Sequence, residues 1–107
     1  MLPILPVFIS PCPNDTFLFF PLITGLIKAR SFQPEFHYLD IAELNALGQQ
    51  RKPALIKMSF ANYYLLGQDY RLLNSGSALG HGCGPLLIAR EPVSRSRYKD
   101  LRVQFPD

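Results

Sequence analysis

Two apolar runs fill the first thirty residues, and one short polar loop separates them. ILPVFIS (residues 4–10) reads as a buried strand, with Pro6 near its start, where a missing donor is tolerable. DTFLFFPLITGLIKA (15–29) is apolar nearly all round, the pattern of a buried helix with Asp15 as its N-cap. Pro21 should kink that helix or end it early, and Gly25 is a natural stop. PEFHYLD (34–40) alternates, with Phe36 and Tyr38 on one face and His37 and Leu39 on the other, so a strand is predicted. DIAELNALGQQ (40–50) opens a helix on the capping-box pair Asp40 and Glu43. PALIKMS (53–59) predicts a strand and SFANYYLLGQ (59–68) a helix capped by Ser59. YRLLNSG (70–76) and GPLLIAR (84–90) predict two more strands, and LRVQF (101–105) begins another.

Strands and helices alternating in this order predict an α/β fold with a mostly parallel sheet flanked by helices. Composition agrees: 107 residues, 48% apolar and 18% charged, is the make-up of one globular domain. A net charge of +3 is too weak by itself to argue for nucleic acid. Five of the eleven Lys and Arg residues (Arg90, Arg95, Arg97, Lys99 and Arg102) interleave with Glu91 and Asp100 and have no aromatic ladder. That pattern reads as a solvated linker face and not as a stacking platform for bases. MLPILPVFISP at the N-terminus lacks a basic start and carries three prolines, so it is not a secretory signal. No apolar run is long enough for a membrane span. Two cysteines are too few for a disulfide framework and lack metal-ligand spacing, which makes reduced, cytoplasmic thiols the expectation.

Candidate chemistry concentrates at loop-to-helix junctions. SPCPNDTF (10–17) is stiffened by two prolines and leads into a helix start, a place suited to anions. Asn14, Asp15 and Thr16 either cap that helix or line a cleft where Asp15 meets substrate hydroxyls. Lys57, Met58 and Ser59 stand at the carboxyl end of a predicted strand, where open α/β sheets collect ligands, and Asn45 could face the same space. Taken alone, Lys57 also fits a solvated lysine. SGSALGHGCGP (75–85) holds four of the seven glycines but does not match a P-loop, so it is a tight connection or a ligand-lining loop around Ser77. His37 fits a packed or surface position, His81 has no identifiable orienting partner, and Cys12 fits an inert small residue. No metal-ligand set and no catalytic triad can be assembled.

SPCPNDTF, DIAELN, KMSFANY and SGSALGHGCGPLLIAR, in this order and spacing, resemble the 1,4-dihydroxy-6-naphthoate synthase family of the futalosine route to menaquinone. The resemblance runs from about residue 7 to 106. It implies a lobe like those of type II periplasmic binding proteins, two α/β lobes around a cleft, in a cytoplasmic enzyme. It implies a lyase that converts the small molecule cyclic dehypoxanthinylfutalosine to 1,4-dihydroxy-6-naphthoate without a cofactor or metal; a homodimer is compatible with it. Lys57, Met58 and Ser59 match the family's substrate-contacting segment, and Asp15 and Asn45 match its polar cleft positions. Asn14, Thr16 and Ser77 are further cleft-lining candidates.

The family's second lobe, with a Thr-Thr turn and a proton-accepting histidine, has no counterpart here, and neither His37 nor His81 matches that histidine. Residues 1–97 are therefore expected to form an incomplete first lobe, with 98–107 starting the crossing strand toward a second lobe that is absent. No catalytic residue is assigned within this chain, which is expected to be an inactive N-terminal fragment. The related chorismate dehydratase of the same pathway and a non-catalytic small-molecule-binding lobe are the alternatives.

Overall fold

The structure, a computed structural model, describes residues 1–84 and 86–104. By internal contacts the chain divides into two compact units, Met1–Ser77 and Ala78–Asp107. The first unit runs β1 (Ile4–Ile9), α1 (Pro13–Ile23), β2 (Gln33–Tyr38), α2 (Ile41–Gln49), β3 (Leu55–Ile56) and α3 (Phe60–Leu66). The three strands form one parallel sheet in the order β2-β1-β3, with Val7 opposite both Phe36 and Leu55. The α/β class and the parallel sheet are thus as the alternating pattern predicts.

β1 is central, and two prolines show how its ladder is built. The carbonyl of Ile9 accepts from Leu39 of the β2 side, and the carbonyl of Phe8 accepts from Lys57 beyond β3. Odd positions of β1 therefore face β2 and even positions face β3. Pro6 faces the β3 side, one step before β3 begins at Leu55, so its missing N–H leaves no rung empty. Pro34 of β2 follows Gln33, whose amide donates to Pro3, and so points away from β1.

The local signals that shape the helices are visible. Asp40 Oδ1 accepts from the Glu43 amide at 2.8 Å, and Glu43 Oε2 accepts from the Asp40 amide at 3.0 Å, closing the capping box of α2. Ser59 caps α3 by accepting from the Asn62 amide at 3.2 Å. α1 ends at Ile23, two residues past Pro21, and Gly25 takes the left-handed conformation (φ 76°) that ends it.

Three expectations need correction. The N-cap of α1 is Cys12, not Asp15, because Pro13 occupies the first helical position, where its missing donor costs nothing. α1 is not a buried helix: Asp15 is its only buried residue, and Phe17 is 85% exposed. The buried apolar core is Val7, Ile9, Leu44 and Leu66, and a three-stranded sheet has no second apolar layer with which to enclose an all-round apolar helix. Finally, residues 70–76, 84, 86–90 and 101–104 form no strand, since each apolar run lacks a partner to pair with among the described residues. Pro85 and residue 105 of these predicted strands lie outside the described residues.

The second unit contains one short 3-10 helix, Arg95–Asp100, so Tyr98, Lys99 and Asp100 are helical and not the start of a strand. Its cations Arg90, Arg95, Arg97, Lys99 and Arg102 are exposed, as a solvated face requires.

Candidate functional site

Strand order decides where a site can form. With β1 between β2 and β3, the connection after β1 leads to one side and the one after β3 starts on the other. The carboxyl ends of β1 and β3 therefore flank the point where an open α/β sheet leaves a crevice. Ser10 follows β1 there, Lys57 follows β3, and the first turn of α1 adds Asp15.

These three residues form one cluster. Lys57 Nζ lies 3.0 Å from Asp15 Oδ2, 3.4 Å from Ser10 Oγ and 3.8 Å from Cys12 Sγ. The same Asp15 oxygen accepts from the Ser10 hydroxyl at 2.7 Å and the Ser10 amide at 2.9 Å. Ser10 Oγ in turn accepts from the Cys12 amide at 3.3 Å. Asp15 is third in α1, where the dipole of the helix start also favours a carboxylate.

Burial pushes the Asp15 carboxyl up, but the hydrogen bonds from the Ser10 hydroxyl, Lys57 and the Ser10 amide, with the lysine charge, outweigh it and hold it below the ordinary value. The Cys12 thiol is lowered as well, by the Ser10 hydroxyl first and the Asp15 backbone amide next.

A second cluster fixes the rest of the segment after β3. Asn45 Oδ1 of α2 accepts from the Ser59 amide at 3.0 Å, and Asn62 Nδ2 of α3 donates to the Asn45 carbonyl at 3.2 Å. Asn62 Nδ2 also lies 3.7 Å from Met58 Sδ. Gly48 makes this approach of α2 and α3 feasible, since a Cβ there would stand 3.1 Å from Met58 Cε and 3.3 Å from Asn62 Nδ2. Removing the cap with Ser59→Ala is expected to cost about 1 kcal/mol, because α3 spans only seven residues, and urea unfolding of the chain measures it.

Of the residues singled out from sequence, Asp15, Lys57, Met58, Ser59 and Asn45 fall in these two adjoining clusters, joined through the 57–59 segment. Asn14 is exposed on the first turn of α1. Thr16 Oγ1 donates back to the Cys12 carbonyl of its own helix at 3.1 Å. Ser77 is exposed and makes no side-chain bond to either cluster. His37 stacks on Phe8 with centroids 4.8 Å apart and binds Glu35 at 2.7 Å, a strand-surface role. Two residues that pattern reading passed over, Ser10 and Asn62, hold the clusters together, and a third, Cys12, is more than filler. Only the position of Ser10, a hydroxyl between a strand end and a proline-stiffened helix start, offered a signal. Among the described residues no group of three or more His, Cys, Asp or Glu could hold a metal, and no helix is long and apolar enough to cross a membrane.

The profile of a family described as menaquinone biosynthesis matches residues 5–107, which includes both clusters. The chain belongs to this menaquinone biosynthesis family. Among curated relatives, a 1,4-dihydroxy-6-naphthoate synthase of Thermus thermophilus is 39% identical over 98 residues, covering 91% of this chain and 35% of the relative. A second, from Streptomyces coelicolor, is 39% identical over 95 residues, covering 88% and 33%. The family member described here thus spans about a third of the length of the curated relatives it matches. No solved structure gives a significant match.

Proposed function

We propose that the chain is the first-lobe portion of a 1,4-dihydroxy-6-naphthoate synthase, a cytoplasmic lyase of the futalosine route that acts on cyclic dehypoxanthinylfutalosine. The observation that carries this reading is the meeting of Asp15 and Lys57 at the carboxyl ends of β1 and β3, in a chain 39% identical to two such synthases. A buried carboxylate beside an ammonium suits a polar, hydroxyl-bearing small molecule: the carboxylate takes hydroxyl protons and the ammonium takes an oxygen. Met58 and Ser59 sit on the same segment, and Asn45 fixes its backbone. The lobe is of the type II periplasmic-binding-protein kind.

Turnover needs the family's second lobe. A proton acceptor contributes about 10²–10⁴-fold in such reactions. His37 is engaged with Glu35 and Phe8, His81 is exposed, and neither is matched to the proton-accepting histidine of the family. The 107-residue chain is therefore expected to bind cyclic dehypoxanthinylfutalosine weakly and to release no naphthoate. Thermal-shift titration with that compound, with chorismate and with amino acids or sugars, alongside a turnover assay, tests this. Stabilisation by chorismate alone would instead indicate the dehydratase of the same pathway. Stabilisation by amino acids or sugars would indicate a binding lobe without chemistry.

A further inference from the structure

We infer that Ser10 is a positioning residue of the site, which engages one oxygen of Asp15 through both its amide and its hydroxyl and so reserves the other, Oδ1, for a hydroxyl or N–H donor of the ligand. This rests on the proposed function for the identity of the ligand, but not for the arrangement itself.

The hydrogen-bond accounting is one-sided. Asp15 Oδ2 accepts two hydrogen bonds, from the Ser10 amide at 2.9 Å and the Ser10 hydroxyl at 2.7 Å, and forms an ion pair with Lys57 Nζ at 3.0 Å. Oδ1 accepts from none of the described residues, although Asp15 as a whole is only 8% exposed. No buried side-chain oxygen or nitrogen among the described residues lacks a partner, so Oδ1 must open onto solvent. A carboxylate with one occupied oxygen and one open oxygen keeps its free lone pairs for a donor from outside the chain.

Ser10 cannot itself be the ligand contact. It is 7% exposed, its proton goes to Asp15, and its oxygen already accepts from the Cys12 amide and Lys57 Nζ. Its whole capacity is spent inside the protein. The charged and titratable groups facing the carboxylate are Lys57 from the end of β3 and Cys12 from the start of α1. Lys57 alone would leave the carboxylate free to turn, because an ammonium binds either oxygen equally well. Two donors from one residue, in fixed geometry, do not.

The decisive measurement is the ¹³C titration of the Asp15 carboxyl in the 107-residue chain, with the amide spectrum reporting the fold. Ser10→Ala is expected to move the Asp15 midpoint up, and Ser10→Thr, which keeps the hydroxyl, to restore it. If Ser10→Ala loses the folded spectrum, Ser10→Cys, which fills the space with a weaker donor, gives the same reading. An unmoved midpoint in a folded Ala or Cys variant would overturn the assignment. Adding cyclic dehypoxanthinylfutalosine to the unaltered chain should perturb the Asp15 carboxyl signal, and Ser10→Ala should weaken binding roughly tenfold. A compound that binds without perturbing Asp15 would refute the reservation of Oδ1. Failure of the compound to bind at all would refute the proposed function, while the titration still decides the role of Ser10.

Discussion

Asp15→Ala should both destabilise the first unit and abolish its affinity for a hydroxyl-bearing ligand. The Ser10 amide and hydroxyl are buried and would lose their acceptor, at about 1–3 kcal/mol for a buried group left unmet. Lys57, with a side chain 37% exposed, can rehydrate, so the loss stays below that of a fully buried ion pair. Asp15→Asn keeps an acceptor for Ser10 and should lose less stability, yet it removes the charge and the pH dependence. The sign of that dependence follows from the depressed carboxyl. Its ionised, bonded form stabilises the chain fully above the ordinary value of 3.8, and the contribution is lost as pH falls through the lower folded value. Urea midpoints of the parent and Asp15→Asn should therefore differ at neutral pH and converge in acid. Parallel curves across that range would mean that the Ser10 and Lys57 contacts do not stabilise the carboxylate.

Leu44→Ala should be among the most damaging apolar substitutions, with Ile9→Ala. Leu44 is fully buried on α2, one of four buried apolar side chains in the first unit, and truncating such a leucine costs about 2–5 kcal/mol. A whole domain has only about 5–15 kcal/mol of net stability, and small ones sit at the low end. The expected outcome is loss of the cooperative urea transition followed by circular dichroism. Phe17→Ser, at a position 85% exposed, should leave that transition in place. A Leu44→Ala chain with an unchanged midpoint would show that the core does not rest on α2.

Much of this was legible where the signals are local. The Asp40–Glu43 box, the Ser59 cap and the stop at Gly25 each act within a few residues, and each formed as read. The order of the first six elements followed for the same reason. Pairing is not local, so LLN at 72–74 and LLIA at 86–89 have strand-like patterns and no strand. Asp15 was placed at the cap because its residue type favours that position, but Pro13 sets the helix start three residues earlier and moves Asp15 inward. That shift turns a capping carboxylate into one facing Lys57, forty-two positions along the chain, a contact that no spacing rule contains. Strand-end logic did place Lys57, Met58 and Ser59 just after β3, where Lys57 meets Asp15, since it depends on element order alone.

The two prolines of the sheet have a consequence for the protein in concentrated solution. Pro34 lies along the outer side of β2, and Pro6 lies on the flank of β1 that β3 leaves uncovered. A strand from another molecule that approached at either proline would find a carbonyl to bind but no amide in return at that one rung, while the outward amides of Phe36 and Tyr38 on β2 remain open. The chain thus exposes wide apolar surface on α1, while each proline removes one of the backbone rungs on which stacked aggregates grow.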